Sequence, residues 1–272
     1  MPYLNAVDLH THTSRSFDCE EPIENMYDAA VKAGLKAFAV TDHLELDVFY
    51  KKDFDKTASE SFADVIRMRE EHPGDALILA GGEFGEAVYE KELSEEIINK
   101  YDYDIVIGSI HNLPGLPDFC DMSYDGNTDI YPLLDSYFDW ELKMAQWAKF
   151  DTLAHLTYPL RYIEGENRIP VDLSRYGEII DEILINVIKN KIALELNTSG
   201  YRQPYGKPFP DRDILLRYKQ LGGKYLTTGS DAHYREHMGA GIARGFELAL
   251  ECGFEHITCY YKREPMLLPI RS

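Results

Sequence analysis

The chain has 272 residues, of which 44% are hydrophobic, and its formal net charge is −19 because 47 acidic side chains outnumber 28 Lys and Arg. No Pro/Gly/Ser-rich linker or repeat divides it, so we expect residues 1–272 to form a single domain. The acidity argues against nucleic-acid and anionic-membrane partners, which require a basic surface.

The sequence also predicts a cytoplasmic protein. No apolar run reaches membrane-spanning length, and the N-terminus Met1–Asn5 lacks the basic start and apolar stretch of a signal peptide. The four cysteines form no CxxC pair and are too few for a disulfide scaffold, so we expect reduced thiols without a catalytic role.

Strand-like and helix-like stretches alternate along the chain. The first strand, 4–12, is followed by a helix at 23–33 that Pro22 opens and Gly34 ends. Further strands are predicted at 36–43, 77–83, 104–111, 151–155, 191–197, 224–230 and 256–261, and helices at 59–71, 93–100, 131–149, 173–189, 211–221 and 241–251. Nearly continuous apolar strands, each followed by a helix, are typical of a parallel sheet.

The number of these units favours a closed α/β barrel. An open doubly wound sheet is the alternative, but it needs a Gly-rich phosphate turn after its first strand. The residues that follow His12 contain no such turn, so the barrel is the preferred fold.

The first strand ends in His10-Thr11-His12, and the two imidazoles share a face because strand side chains alternate. An isolated pair of this kind is more often one core residue and one surface residue. Here, however, similar residues recur where the predicted strands end. The set holds six of the nine histidines and two carboxylates: His10, His12, His43, Glu83, His111, His155, Asp231 and His233.

The carboxyl ends of barrel strands converge on one mouth, so these side chains are expected to meet there. Neutral imidazole and carboxylate suit zinc, manganese or iron, and the supply exceeds what one ion uses. Glu83 is a candidate bridge between two ions. Clustered divalent ions hold phosphate, activate water and offset the acidity locally. Asp8 and Asp42 are predicted either to orient imidazoles or to serve as turn caps.

The ordered motifs resemble those of the polymerase-and-histidinol-phosphatase (PHP) superfamily. They are His10-Thr11-His12-Thr13, Thr41-Asp42-His43, Gly82-Glu83, Ser109-Ile110-His111, Ala154-His155 and Ser230-Asp231-Ala232-His233. The resemblance covers nearly the whole chain. It implies a distorted TIM-like (β/α)7 barrel in one domain, with a site for three divalent metal ions.

Carried over residue by residue, the resemblance implies three metal subsites. The first would be held by His10, His12, Glu83 and Asp231. The second would be held by Glu83, His111 and His155, with Glu83 bridging. The third would be held by Asp18, His43 and His233. Asp18 stands where many relatives have histidine; it is a competent ligand, and the alternative is a plain loop carboxylate.

Within the superfamily the chain is most similar to histidinol-phosphatases, on the segments 150–162 and 260–266. This implies hydrolysis of L-histidinol phosphate to L-histidinol and phosphate, a step of histidine biosynthesis, by a hydroxide that bridges the metals. Glu83, Asp231 and His233 would be the catalytic residues, with the acid that protonates the leaving group left open among Asp231, His233 and a metal-bound water.

Two arginines are predicted to bind the substrate. Arg161 and Arg202 follow successive strands on the active-site side, and a guanidinium can clamp phosphate through two parallel hydrogen bonds. Either one is alternatively an exposed surface residue. Loop residues that could bind the ammonium and imidazole groups of the substrate are Tyr158, Tyr162, Glu164, Glu166 and Tyr201.

Three other functions are compatible with parts of the pattern. A phosphoesterase of the same superfamily could act on another small ester or a nucleotide. An amidohydrolase also opens with His-x-His, but commonly uses a lysine where this chain has His111. A non-catalytic metal-binding protein is the third alternative, although no predicted ligand is missing.

Overall fold

Seven parallel strands form a nearly closed barrel in the computed structural model of the protein, which describes residues 3–125 and 128–271. The segment Met1–Asn5 was predicted to lack a signal peptide, and its first two residues, Met1 and Pro2, lie outside these ranges. The barrel strands, in spatial order, are β1 (Val7–Thr11), β2 (Ala37–Val40), β4 (Leu77–Gly85), β5 (Ile105–Ser109), β6 (Thr152–Leu153), β7 (Ala193–Asn197) and β8 (Leu226–Gly229). The predicted distorted (β/α)7 barrel is thereby confirmed.

The predicted strand 36–43 is divided at Asp42. Its first part, β2, pairs with the start of β4, and its second part, β3 (His43–Glu45), pairs with the end of β4. Between the two, the N–H of Glu83 donates to the Asp42 carbonyl at 3.2 Å. This arrangement places His43 directly opposite Glu83 in the register.

The barrel closes where β8 ends beside β1. The N–H of Asp231 donates to the His10 carbonyl at 2.8 Å, and the N–H of His12 donates to the Ala232 carbonyl at 2.9 Å. Segments that are far apart in sequence are thus joined by backbone hydrogen bonds, which bring Asp231 next to both histidines of the first strand.

Helices cover the outside of the barrel. They are α1 (Ile23–Ala33), α2 (Phe54–Glu71), α3 (Lys91–Lys100), α4 (Tyr131–Trp147), α5 (Gly177–Lys189), α6 (Arg212–Gln220) and α7 (Ile242–Glu251). α2 begins five residues earlier than predicted because buried Phe54 already packs against Phe49. In the predicted helix 173–189 the first turn is a 3₁₀ helix. Within the described ranges, no helix is long and apolar enough to cross a membrane.

A C-terminal hairpin lies at the opposite end of the barrel from the polar strand ends. The predicted last strand is β9 (His256–Tyr261), and it pairs with β10 (Glu264–Pro269), which was not predicted. Lys262 and Arg263 form the turn with φ values of 51° and 63°. Hairpin turns of this kind usually contain Asn-Gly, and prolines argue against a strand, so the sequence gives no clear hairpin signal.

Candidate metal centre

All nine predicted metal ligands lie at the mouth formed by the carboxyl ends of the barrel strands. Eight of them come from β1, β3 and β4 or from the residues just after β1, β5, β6 and β8. The ninth, Asp18, belongs to the loop between β1 and α1. Seven of the nine are buried, whereas His233 is half-buried and Asp18 is exposed.

Glu83 occupies the middle of the cluster, and its two oxygens face different imidazoles. Oε1 lies 2.8 Å from His155 Nε2 and 3.1 Å from His111 Nε2. Oε2 lies 3.2 Å from His10 Nε2 and 3.6 Å from His12 Nε2. The carboxylate therefore stands between two sets of potential ligands, as a bridging ligand does.

Asp231 completes the set around His10 and His12. Its Oδ1 lies 3.4 Å from His12 Nε2 and 3.9 Å from His10 Nε2. The structure therefore brings together the four residues of the predicted first subsite, just as Glu83 brings together those of the second.

The three residues of the predicted third subsite also meet. Asp18 Oδ2 lies 3.0 Å from His233 Nε2 and 3.5 Å from His43 Nε2. The His12 ring stacks on the rings of both His233 and His43, with centroids 4.1 and 4.4 Å apart. Asp18 is thus placed in the cluster and is not a remote loop carboxylate.

Several buried polar atoms of the cluster have no hydrogen-bond partner within the described part of the chain. They are Nε2 of His10, His12 and His233, Nδ1 of His43 and His155, and Oε2 of Glu83. Buried unpaired polar atoms are costly and therefore need a ligand. Ligand-type atoms within 4.8 Å of one another occur in the groups His12/His43/His233, His10/His12/Glu83 and His43/Glu83/His111. The donor set thus fits bound divalent metal ions.

Opposite charges inside the cluster shift the pKa values of its members. Burial disfavours a charged Glu83, but the imidazoles around it, His10 foremost, hold the pKa of its carboxyl well below the usual range. The Glu83 carboxylate likewise outweighs burial and raises the pKa of His10. Burial and the neighbouring His233 lower the pKa of His12 to about 3. A neutral imidazole is the form that binds metal.

Glu195, a buried carboxylate of β7 that was not predicted as a site residue, holds two of the ligands. Its Oε1 lies 2.7 Å from His10 Nδ1, and its Oε2 accepts the backbone N–H of His155 at 2.8 Å. Gly229 leaves room for this contact, since a Cβ there would lie 2.4 Å from Glu195 Oε1. The signal available in the sequence is a carboxylate inside an otherwise apolar strand.

Asp42 acts on an imidazole indirectly. Its Oδ1 accepts the hydroxyl of Ser16 at 2.9 Å, and Ser16 Oγ lies 3.1 Å from His12 Nδ1. The same carboxylate accepts the N–H of Thr13 at 2.6 Å. Asp42 therefore fixes the end of β1 and, through Ser16, the orientation of His12.

Asp8 contacts backbone amides instead of an imidazole side chain. Its two oxygens accept the N–H groups of Ser230 and Gly239, each at 2.8 Å. Asp231, in the segment between them, has a φ of 54°, which is uncommon for a residue other than glycine and is found at active sites. Asp8 thus positions the segment that carries Asp231 and His233.

Glu45 lies behind two other ligands and was also missed from the sequence. Its Oε1 lies 3.1 Å from His43 Nδ1 and 3.3 Å from His111 Nδ1. It forms a fourth group of metal-type ligands with Glu86 and His111. Because the Nε2 of His111 faces Glu83 and its Nδ1 faces Glu45, we place Glu45 behind the ligand, where it orients the ring.

Both predicted arginines line a cavity of about 610 Å³ above the cluster. Arg202 donates from Nη1 to the carbonyl of Ser230 at 2.6 Å and from Nη2 to that of Asp231 at 2.7 Å. These two bonds use two of the five N–H donors of its guanidinium to hold the backbone. Arg161 differs, because its Nε is buried and has no partner among residues 3–125 and 128–271.

The loop residues considered for the rest of the substrate divide into two groups. Tyr158 and Tyr162 line the cavity, and their hydroxyls form a hydrogen bond of 3.0 Å with each other. Glu164, Glu166 and Tyr201 are not among the residues that line it. Two carboxylates that were not predicted, Asp118 and Asp121, do line it.

Comparison with known proteins agrees with this geometry. The family model of the PHP domain matches residues 8–199. The chain is 30% identical over 256 residues to a probable histidinol-phosphatase of Clostridium acetobutylicum, with 92% of this chain and 95% of that protein covered. It is 29% identical over 263 residues to a probable histidinol-phosphatase of Thermotoga maritima, with coverages of 93% and 94%.

A crystal structure with the same fold is that of the histidinol phosphate phosphatase from Lactococcus lactis in complex with zinc, L-histidinol and phosphate. The TM-score is 0.81 at 23% identity, and 96% of this chain and 99% of that chain are covered.

Proposed function

The chain belongs to the PHP domain family, and we propose that it is a metal-dependent phosphate monoester hydrolase that converts L-histidinol phosphate to L-histidinol and phosphate, a step of histidine biosynthesis. The observation that carries the proposal is the position of Glu83, whose two oxygens each face two or more imidazoles. Relatives that are named histidinol-phosphatases match this chain over nearly its whole length, which supports the choice of substrate.

We assign three divalent ions to the cluster, with zinc, manganese or iron as candidates. One set of ligands is His10, His12, Glu83 and Asp231. The second is Glu83, His111 and His155, and the third is Asp18, His43 and His233. When bound, such ions would neutralise phosphoryl charge and lower the pKa of water so that hydroxide forms near neutral pH.

The protein's own residues bind and orient the ester. The unpartnered Nε of Arg161 is a donor for a phosphoryl oxygen, and a guanidinium is well suited to that geometry. Arg202 adds positive charge to the cavity wall while its fork holds the carbonyls of Ser230 and Asp231. Both arginines are therefore assigned to substrate binding, and Arg202 also holds the backbone of Ser230 and Asp231.

Glu83, Asp231 and His233 are assigned as catalytic residues. Asp231 and His233 both line the cavity, and His233 Nδ1 lies 3.5 Å from Asp231 Oδ1. The acid that protonates the leaving alkoxide is left open among Asp231, His233 and a metal-bound water. Burial disfavours a charged Asp231, but its hydrogen bond with His12 and the neighbouring imidazoles hold the pKa of its carboxyl well below the usual range, which argues against Asp231 as that acid. Glu83 is assigned as the shared ligand, because its two oxygens lie between the two inner sets of imidazoles.

The domain and its location complete the proposal. We assign residues 1–272 to one PHP-type domain, because β9 follows β8 and the C-terminal hairpin is tied to the barrel by Arg263, whose Nε donates to Asp151 at 2.9 Å. A cytoplasmic location is proposed from the four cysteines, which are all free.

A panel of substrates tests the proposed function. Metal-loaded protein should release phosphate from L-histidinol phosphate with a kcat/KM well above that for glycerol phosphate, nucleoside monophosphates and p-nitrophenyl phosphate. Preference for one of the other esters would retain the metal centre and contradict the assigned substrate.

A further inference from the structure

Among the described residues, two carboxylates that are not proposed metal ligands line the cavity. They are Asp118 and Asp121, in the loop after β5. Asp118 is half-buried, whereas Asp121 is exposed. The cavity therefore presents a cationic guanidinium, that of Arg161, and a separate, partly buried anion above one metal centre.

The loop that carries Asp118 is anchored to a proposed metal ligand. It leaves the barrel at His111 and returns, since the N–H of Phe119 donates to the His111 carbonyl at 3.0 Å and Asn112 pairs with Asp118. Phe119 is fully buried and packs edge-on against Tyr137, with ring centroids 5.5 Å apart. Asp118 thus has a fixed position relative to the cluster.

Two donors also fix the orientation of the Asp118 carboxylate. Oδ1 accepts the Tyr158 hydroxyl at 2.9 Å and the N–H of Cys120 at 2.7 Å. The Tyr158 ring in turn lies against the rings of His111 and His155, with centroids 5.1 and 5.0 Å apart. One side chain therefore separates Asp118 from the ligands of the second subsite.

We propose that Asp118 binds the ammonium group of the substrate and so selects phosphate esters of 2-amino alcohols. This inference rests on the proposed function. In L-histidinol phosphate the ammonium is attached to the carbon next to the one that bears the ester oxygen, so it must lie close to the bound phosphoryl group. An anion fixed beside the second subsite is within reach of it, and charge-assisted hydrogen bonds of this type are strong.

The other acidic loop residues fit this role less well. Glu164 and Glu166 belong to a π-helical turn and do not line the cavity. Asp121 lines it, but its exposure to water weakens any ion pair that it makes. Asp118 combines contact with the cavity, partial burial and fixed geometry.

The test compares L-histidinol phosphate with its deamino analogue, 3-(imidazol-4-yl)propyl phosphate. Asp118→Asn keeps an oxygen for Tyr158 and Cys120 and removes the charge. We expect this variant to lose about 10- to 100-fold in kcat/KM for the amino ester, mainly through KM, and to stay within about twofold of wild type on the analogue. Asp139→Asn, exposed on α4 and outside the cavity lining, is the matched control and should change neither value by more than about twofold.

Inhibition by the product L-histidinol provides a readout that does not depend on the chemical step. Its inhibition constant should rise in Asp118→Asn, while that of inorganic phosphate should stay the same. Equal losses on both esters, or no loss on either, would overturn the role of Asp118 while the proposed function stands. Wild-type protein that hydrolyses other monoesters but not L-histidinol phosphate would overturn the proposed function, and this inference with it.

Discussion

The inner and outer parts of the metal centre are held in different ways. Around Glu83 the ligands come from the strands or from residues just after them, they are buried, and Glu195 and Ser16 support their imidazoles from behind. The outer part depends on Asp18, which lies in a loop with its side chain 40% exposed, and on His233, at 20%.

This difference bears on how tightly each part holds a metal ion. Ligands that the barrel itself positions lose little freedom when an ion binds, whereas an exposed loop side chain such as that of Asp18 loses more. Burial also removes the screening that weakens an exposed charge. We therefore expect the two inner ions to bind more tightly than the outer one.

Replacing Glu83 should have the largest effect, because both inner subsites share it. Glu83→Gln should lower kcat/KM for L-histidinol phosphate by about 10³-fold or more and reduce the metal content per chain. Initial rates and elemental analysis measure both. Glu92→Gln, on the exposed face of α3, is the control. A Glu83→Gln protein with a near-wild-type rate would remove Glu83 from the centre.

Replacing Glu195 should weaken the inner part without removing a ligand. Glu195→Gln keeps a hydrogen-bond acceptor for His155 and loses the charge that faces His10. We expect metal affinity to fall by about 10- to 100-fold, the usual effect of losing a group that orients a ligand. Competition with a chromogenic chelator measures the affinity, and circular dichroism checks the fold. Unchanged affinity in a folded variant would show that Glu195 is only a structural residue.

Replacing Asp18 should affect the outer ion alone. Asp18→Asn should lower the affinity for one ion by about tenfold and leave the other two bound, and Asp18→His should retain all three. The metal-to-protein ratio after mild chelation separates these states. Asp28→Asn, exposed on α1, serves as the control. Loss of all three ions together from Asp18→Asn would mean that the two parts are not independent.

The smallest effect concerns the dependence of stability on pH. In metal-free protein, burial opposes charge on His10, His43 and His111, but the nearby Glu83 carboxylate raises each pKa. Their contribution to stability is therefore complete below the ordinary histidine pKa of about 6.5 and is lost as the pH rises through the raised values.

Metal-loaded protein should show the opposite slope, because protons compete with metal ions for imidazole and stability then falls as the pH falls. Urea midpoints between about pH 6 and pH 8.5, with a chelator and with zinc, measure both slopes. Equal slopes in the two states would show that the imidazoles do not exchange protons for metal.

Residues that follow directly from a strand could be predicted from the sequence. His10, Glu83 and His155 end apolar strands, and parallel strands in a barrel have only one mouth at which such ends can meet. Asp18 could be assigned only through the family resemblance, since a loop position has no periodicity.

The groups that support the ligands could not be predicted, because tertiary packing decides their partners. Glu195 contacts His10, and Glu45 contacts His111, which both follow from how different strands are placed in the folded barrel. The sequence does not show which side chains of different strands meet inside the barrel. The hydrogen bonds from Arg202 to the carbonyls of Ser230 and Asp231 also depend on how the loop folds. Asp118 depends on a long loop that returns to His111 by tertiary hydrogen bonds.

Metal dependence of the proposed reaction can be measured as phosphate release from L-histidinol phosphate by the same protein before chelation, after chelation and after addition of zinc or manganese. We expect rapid release, its loss on chelation and its recovery with added metal ions. Release that persists in protein shown by elemental analysis to be free of metal would show that the metal centre does not catalyse this hydrolysis.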